Sequence, residues 1–201
     1  MRVAWLAILL GLALEGLLLV LGASFGHLLG LRSMVARLIQ NVSWSVFVCV
    51  GLALGTTIAK ATKARAAATG LLGLFSAPLA FEVARVFHKG TLEALGASGG
   101  GDDLSPLLTA VIKGLEYGCL GLAVGWVGSR PWGGVVAHVA VGLAVGLVFG
   151  GTILSLTLLS TPQLPSADIL SLGVNELLFP VGCSVVLFSA GALGKRIGNH
   201  S

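Results

Sequence analysis

The sequence predicts an all-α, polytopic membrane protein with six transmembrane helices, and three observations predict it. Of 201 residues, 56% are hydrophobic and 10% charged, with a mean hydropathy of +1.00. Soluble domains carry roughly 25% charged residues, so most of this chain is built for lipid. The apolar residues fall into six stretches, each near the ~20 residues a helix needs to cross a ~30 Å hydrocarbon core. The charges between the stretches sort by side. Arg2, Lys60, Lys63, Arg65, Arg130, Lys195 and Arg196 fall on one side. Arg32, Arg37, Lys89, Glu93, Asp102, Asp103 and Asp168 fall on the other.

The spans are expected at residues 3–23, 38–59, 67–87, 107–127, 135–159 and 169–193, within one transmembrane domain covering 1–201. The first has the outline of a signal peptide, with Arg2 ahead of an apolar run and Gly22-Ala23-Ser24 behind it. The run is too long for one and carries Glu15 in its middle, so a retained span is expected. Residues 24–37 hold His27, Arg32 and Arg37 among leucines, the composition of a short interfacial helix. A flexible polar loop, 95–103, separates the third and fourth spans. Arg130-Pro131-Trp132-Gly133 makes a tight turn before the fifth, and Thr161-Pro162-Gln163-Leu164-Pro165 precedes the sixth. The basic, acid-free side places both termini in the cytoplasm. The expected location is the cell membrane of a prokaryote.

A faint internal repeat divides the spans into three tandem two-helix hairpins. Odd spans share Gly11-Leu12, Gly73-Leu74 and Gly142-Leu143, and even spans carry Asn41, Lys113 and Asn175. Asn41 and Asn175 are each followed eight residues later by a cysteine, Cys49 and Cys183. Chance matching among few residue types is the competing explanation. Glycines four apart (Gly51/Gly55, Gly114/Gly118, Gly121/Gly125 and Gly142/Gly146/Gly150) read as glycine-zipper packing, because small residues let helix backbones approach in lipid.

Six ionisable residues lie inside the spans: Glu15, Glu82, Arg85, Lys113, Glu116 and Glu176. A charge in hydrocarbon costs at least ~2.5–3.5 kcal/mol, so such residues pair, line water, or work. Glu82 and Arg85 on span three, and Lys113 and Glu116 on span four, are expected to form a structural charge cluster. Glu82 would meet Lys113, and Arg85 would meet Glu116. Glu15 and Glu176 then lack a visible cation. Glu176 follows Asn175 and precedes Pro180, whose missing N–H frees the Glu176 carbonyl. A carboxylate, a free carbonyl and an amide would gather oxygens as broken transporter helices do. Pro78 is expected to open span three in the same way, at Leu74. Glu176, Asn175, Glu15 and Asn41 are therefore the candidate ion- or substrate-binding residues, with Pro180 and Pro78 as hinges. Gln40, Ser43, Ser45, Thr152, Ser155 and Thr157 join them toward the outer leaflet, which reads as an outward-opening vestibule or binding pocket and equally as a surface for a partner subunit.

Other chemistry is thin. Three cysteines, each in an apolar stretch, do not make a disulfide framework or a zinc site, and they read as buried core. His138 alone is a poor haem or pigment signature. No phosphate loop, His-Glu metal motif or Ser-His-Asp set appears, and no basic stripe suits nucleic acid. The expected function is a secondary transporter or channel for an ion, proton or small solute, with no enzymatic step and no cofactor. The alternative is an accessory or scaffold subunit of a larger membrane complex. The expected partners are the lipid bilayer and either copies of the same chain or membrane subunits.

Overall fold

The computed structural model describes residues 2–25, 30–58, 62–97 and 104–198, without the side chains of 62, 63 and 194–198. Among the described residues all regular structure is helical. The order is α1 (Arg2–Ser24), α2 (Leu31–Ile58), α3 (Thr62–Ala94), α4 (Pro106–Val127), α5 (Val135–Val145), a π-helical turn (Gly146–Gly150), α6 (Gly151–Ser160) and α7 (Ser166–Gly198). Six helices are long and apolar enough to cross a bilayer, with α5, the π turn and α6 together making the fifth span. This is the architecture of a multi-pass membrane protein.

Most helices outrun their apolar stretches, because backbone hydrogen bonding and not hydropathy decides where a helix stops. Residues 31–37 are the first turns of α2 and not a separate interfacial helix. No Gly or Pro interrupts Leu31 to Leu38, so nothing breaks the hydrogen-bond ladder there. His27 lies outside the described residues. The end of α3 is a Schellman motif: Ala97 N–H donates to Leu92 O at 2.9 Å and Gly96 N–H to Glu93 O at 3.0 Å. Gly96 takes φ +65°, a conformation that only glycine adopts without strain. The remainder of the expected loop, 98–103, lies outside the described residues. The turn after α4 forms as expected, with Arg130 N–H on Val127 O at 2.9 Å and Gly133 N–H on Arg130 O at 3.0 Å. The Arg130 guanidinium lies 4.9 Å above the Trp126 ring, a cation–aromatic anchor suited to a membrane interface.

Neighbours in sequence pack antiparallel, and α7 closes the bundle against α1. Each odd span packs on two even ones: α1 on α2 and α7, α3 on α2 and α4, α5 on α4 and α7. The even spans α2, α4 and α7 touch one another. Their inward residues recur at three- and four-residue spacing, so each helix sends one side chain to successive levels. Trp44, Val48 and Leu52 come from α2; Tyr117, Leu120 and Val124 from α4; Phe179, Cys183 and Leu187 from α7.

Glycines set the approach distances. A methyl group at Gly73 would sit 2.1 Å from Tyr117 O, and one at Gly121 would sit 2.4 Å from Thr69 O. Gly142 and Gly146 meet the α7 backbone in the same way, at 2.5 Å from Val181 Cα and 2.7 Å from Leu177 O. The π turn is not legible in the sequence, because Gly146–Gly150 reads as uninterrupted apolar helix. The glycines at its two ends, Gly146 and Gly150, both face the α7 backbone, where added methyl groups would lie 2.7 Å from Leu177 O and 3.0 Å from Glu176 O.

Candidate functional site

Among the described residues, the six ionisable residues expected inside the spans sort into three groups, one of which also takes in Arg37. The first joins α4 to α7. Lys113 and Glu116 are three apart on α4 and so share a face. Lys113 Nζ forms an ion pair with Glu116 Oε2 at 2.9 Å and a shorter hydrogen-bonded ion pair with Glu176 Oε2. All three are buried, with relative exposures of 6%, 0% and 7% for Lys113, Glu116 and Glu176. The ammonium also lies 5.8 Å from the Trp44 ring centre and 5.9 Å from that of Tyr117. Those rings meet edge-on at 5.5 Å, and Phe179 adds a third at 6.0 Å from Trp44. One aromatic from each even span thus floors the cluster.

Here the expected pairing is corrected. Glu176 has a cation, Lys113, and Lys113 does not pair with Glu82. The reason is register. A methyl group at Gly114 would lie 3.0 Å from both Leu74 O and Pro78 Cγ, so α4 rests on α3 at this point and Lys113 is level with Pro78. Glu82 lies a helical turn farther along α3. It pairs with Arg85 on its own helix at 3.1 Å, and both side chains are partly exposed. The expected quartet is therefore two separate groups.

The third group ties α1 to α2 and α7. Asn41 Nδ2 donates to Glu15 Oε2 at 2.5 Å, and Arg37 Nε lies 3.5 Å from Glu15 Oε1. Arg37 Nη2 donates to Ser171 Oγ at 3.4 Å. Glu15 therefore also has a cation, contrary to expectation. The sequence reads Arg37 as a charge outside the spans, because nothing in it marks a helix beginning at Leu31.

Neither Pro78 nor Pro180 ends its helix. The carbonyl that Pro78 leaves without its helical donor, Leu74 O, faces Gly114, and the one that Pro180 leaves, Glu176 O, faces Gly150. In both cases a glycine Cα on the neighbouring helix covers the carbonyl, an arrangement that Cα–H···O contacts favour. The three-oxygen site at Glu176 does not assemble: the carboxylate goes to Lys113, and no hydrogen bond reaches Asn175 Oδ1.

Two cavities flank these groups. One, of about 420 Å³, opens at the end of the bundle that carries the chain termini, with Thr56, Arg65, Gly128 and His138 in its wall. The other, of about 360 Å³, opens at the opposite end between α1, α2 and α7, beside Met34, Arg37, Asp168 and Ser171. The inward face of α2 connects them: Arg37, Asn41, Trp44, Val48, Leu52 and Thr56 run from one cavity to the other at helical spacing. That face is polar, then aromatic, then aliphatic, and it is close-packed at Val48 and Leu52. Thr152, Ser155 and Thr157 are not part of it. Their hydroxyls donate to carbonyls one turn back on their own helix, and Thr152 and Ser155 face outward.

Two cysteines fit the expected core and one does not. Cys49 and Cys183 are buried with sulfurs 3.4 Å apart, on α2 and α7, whereas Cys119 is exposed. Their shared offset of eight residues from Asn41 and Asn175 is the available signal for that contact. His138 Nδ1 lies 2.9 Å from Gly134 O, and its ring packs on Phe188. Among the described residues no cluster of His, Cys, Asp or Glu is arranged to hold a metal. Comparison with family models, with curated proteins and with solved structures finds no match.

Proposed function

We propose that the protein is a small secondary transporter or channel for a proton, an ion or a small solute. Its ion-responsive centre is the Lys113–Glu116–Glu176 cluster. What supports the reading is one observation: an ammonium between two carboxylates, buried where the even spans meet and between cavities at opposite ends of the bundle. Replacing a buried ion group by apolar residues often leaves stability unchanged or raises it by about 1–4 kcal/mol. A purely structural core has little need of three such charges. Fully ionised, the cluster carries one excess negative charge, which lipid disfavours and which a bound ion removes. The Glu15–Arg37–Asn41 group stands at the mouth of one cavity as the entry to the centre. The path has no catalytic step and no cofactor in this reading.

The termini-bearing end carries Arg2, Arg65 and Arg130, and we place it in the cytoplasm of a prokaryotic cell membrane. The even-span core with odd spans outside it suits three tandem hairpins. A second reading, a scaffold or accessory subunit, draws on a lipid-facing groove of about 430 Å³ between α3 and α4. Gly70 and Gly118 floor it, and the exposed Leu71, Leu115 and Leu122 wall it, as helix–helix contacts in membranes require.

Purification under native conditions, followed by flux measurements in sealed vesicles, separates the two. A lone chain or homo-oligomer that passes protons, sodium, potassium or a small solute above empty vesicles is expected. A stoichiometric foreign subunit and no flux would overturn the transport reading.

A further inference from the structure

We infer that the ion taken by the Lys113–Glu116–Glu176 cluster is a proton and not a metal cation, with Lys113 as its resident counter-charge. The inference rests on the transport reading above and narrows it to one species.

Three observations carry it. The position between the two carboxylates, where a metal cation would neutralise both, is already filled. Lys113 Nζ contacts Oε2 of Glu116 and of Glu176 together. A second cation bound there would lie beside an ammonium in a low-dielectric interior, where like charges repel strongly. The second observation is space. Neither end cavity is lined by any of the three residues. The cluster is enclosed by Trp44 and Tyr117, and calcium needs six to eight oxygens at ~2.3–2.6 Å. Sodium also needs a shell of oxygens, and the rings do not supply one. A proton needs neither room nor a coordination shell.

The third observation is a shortage of donors. Neither Glu116 oxygen accepts a hydrogen bond of good geometry, although Oε2 lies in ion-pair range of Nζ, and Asn175 Oδ1 accepts none. These are acceptors, and buried acceptors without donors are costly. A proton adds one donor and cancels the excess charge in the same event. The O–H bond forms at a carboxylate oxygen as an O–H bond of a hydronium ion breaks, leaving water, and the reverse transfer returns the proton to water.

Among the described residues, few groups face the cluster. Tyr117 lies beside it on α4, Cys49 on α2 and Cys183 on α7, and none is a carboxylate or a fixed cation. On α3 the charged Glu82 and Arg85 lie a turn farther along, and His138 on α5 lines the cavity at the far end. Glu15 is held by Arg37 and Asn41. A pH response of the centre therefore belongs to Glu116 and Glu176 as a pair.

The test is infrared difference spectroscopy on the full-length protein in lipid, labelled with ¹³C-glutamate. Spectra are taken between acidic and alkaline buffer, and between sodium, potassium and calcium at fixed pH. The expected result is a glutamic-acid carbonyl band that appears with acid and ignores the metal ions. Glu116→Gln or Glu176→Gln removes it, and Glu15→Gln leaves it. The wild-type comparison needs no variant to fold. Carboxylate bands that shift with a metal ion, without an acid band, would overturn the proton assignment and leave a cation transporter standing. No response to acid or to any metal would overturn both.

Discussion

Replacing Lys113 by methionine keeps most of the side-chain volume and removes the charge, which makes it the sharpest perturbation of the core. Lys113 is the one cation in contact with Glu116 and Glu176 among the described residues, and both carboxylates are buried. Removing one partner of a buried ion pair costs about 3–5 kcal/mol, because the other is left without compensation. Lost cation–aromatic contact with Trp44 and Tyr117 adds about 0.5–1 kcal/mol. At about 2–4 °C per kcal/mol for a chain of this size, the melting temperature should fall by about 7–24 °C. Thermal unfolding in one detergent, followed by intrinsic fluorescence, measures it. The triple variant Lys113→Met/Glu116→Gln/Glu176→Gln has no stranded charge and should recover most of the loss. Glu82→Gln, at a partly exposed pair, should change stability by less than about 1 kcal/mol. If Lys113→Met melts with the wild type, or the triple variant is no more stable than the single, the three residues are not one buried ion group.

Other expectations follow from the same geometry. Gly73→Ala drives a methyl into the Tyr117 carbonyl and should destabilise by about 1–3 kcal/mol. Gly16→Ala meets nothing within 4 Å and should stabilise by up to about 1 kcal/mol, so equal effects of the two on melting would refute the close α3–α4 approach. Maleimide should reach Cys49 and Cys183 only after denaturation, as mass spectrometry would report; labelling of either in the folded protein would refute their burial. A small membrane-permeant oxidant such as iodine should cross-link Cys49 to Cys183 within one folded chain, since their sulfurs are already in contact; no cross-link under native conditions would contradict the α2–α7 contact. Single cysteines at Ala64 and Leu95, in a background without native cysteines, should label from opposite sides of the membrane. Labelling from the same side would refute the span count.

Much of the scaffold is legible in the sequence, because hydropathy and helix length are local properties. The spans, the turn at Arg130 to Gly133 and the inventory of intramembrane charges can be read without knowing how helices meet. Pairing cannot be read that way. It depends on how far α3 slides along α4, and Pro78 resting against Gly114 shifts Lys113 by a turn from the depth that span lengths imply. Glu176 finds its cation 63 residues away, on a helix with which it shares no local pattern. Arg37 is hard to place for a different reason: an amphiphilic stretch ahead of the apolar core reads equally as an interfacial helix or as the start of the span. The π turn leaves no mark, because the glycines that permit it also occur in regular membrane helices.

If the Lys113–Glu116–Glu176 cluster responds to an ion as the protein transports, flux must depend on its carboxylates. The most direct measurement is proton flux into vesicles loaded with a pH-sensitive dye, driven by a potassium diffusion potential, for wild type, Glu176→Gln and Glu82→Gln at matched protein content. Flux above empty vesicles is expected for wild type and Glu82→Gln, with loss of at least about tenfold for Glu176→Gln, the factor that ~1.4 kcal/mol of lost interaction produces. Equal flux from all three, or none from a well-folded wild type, would contradict the role of the cluster.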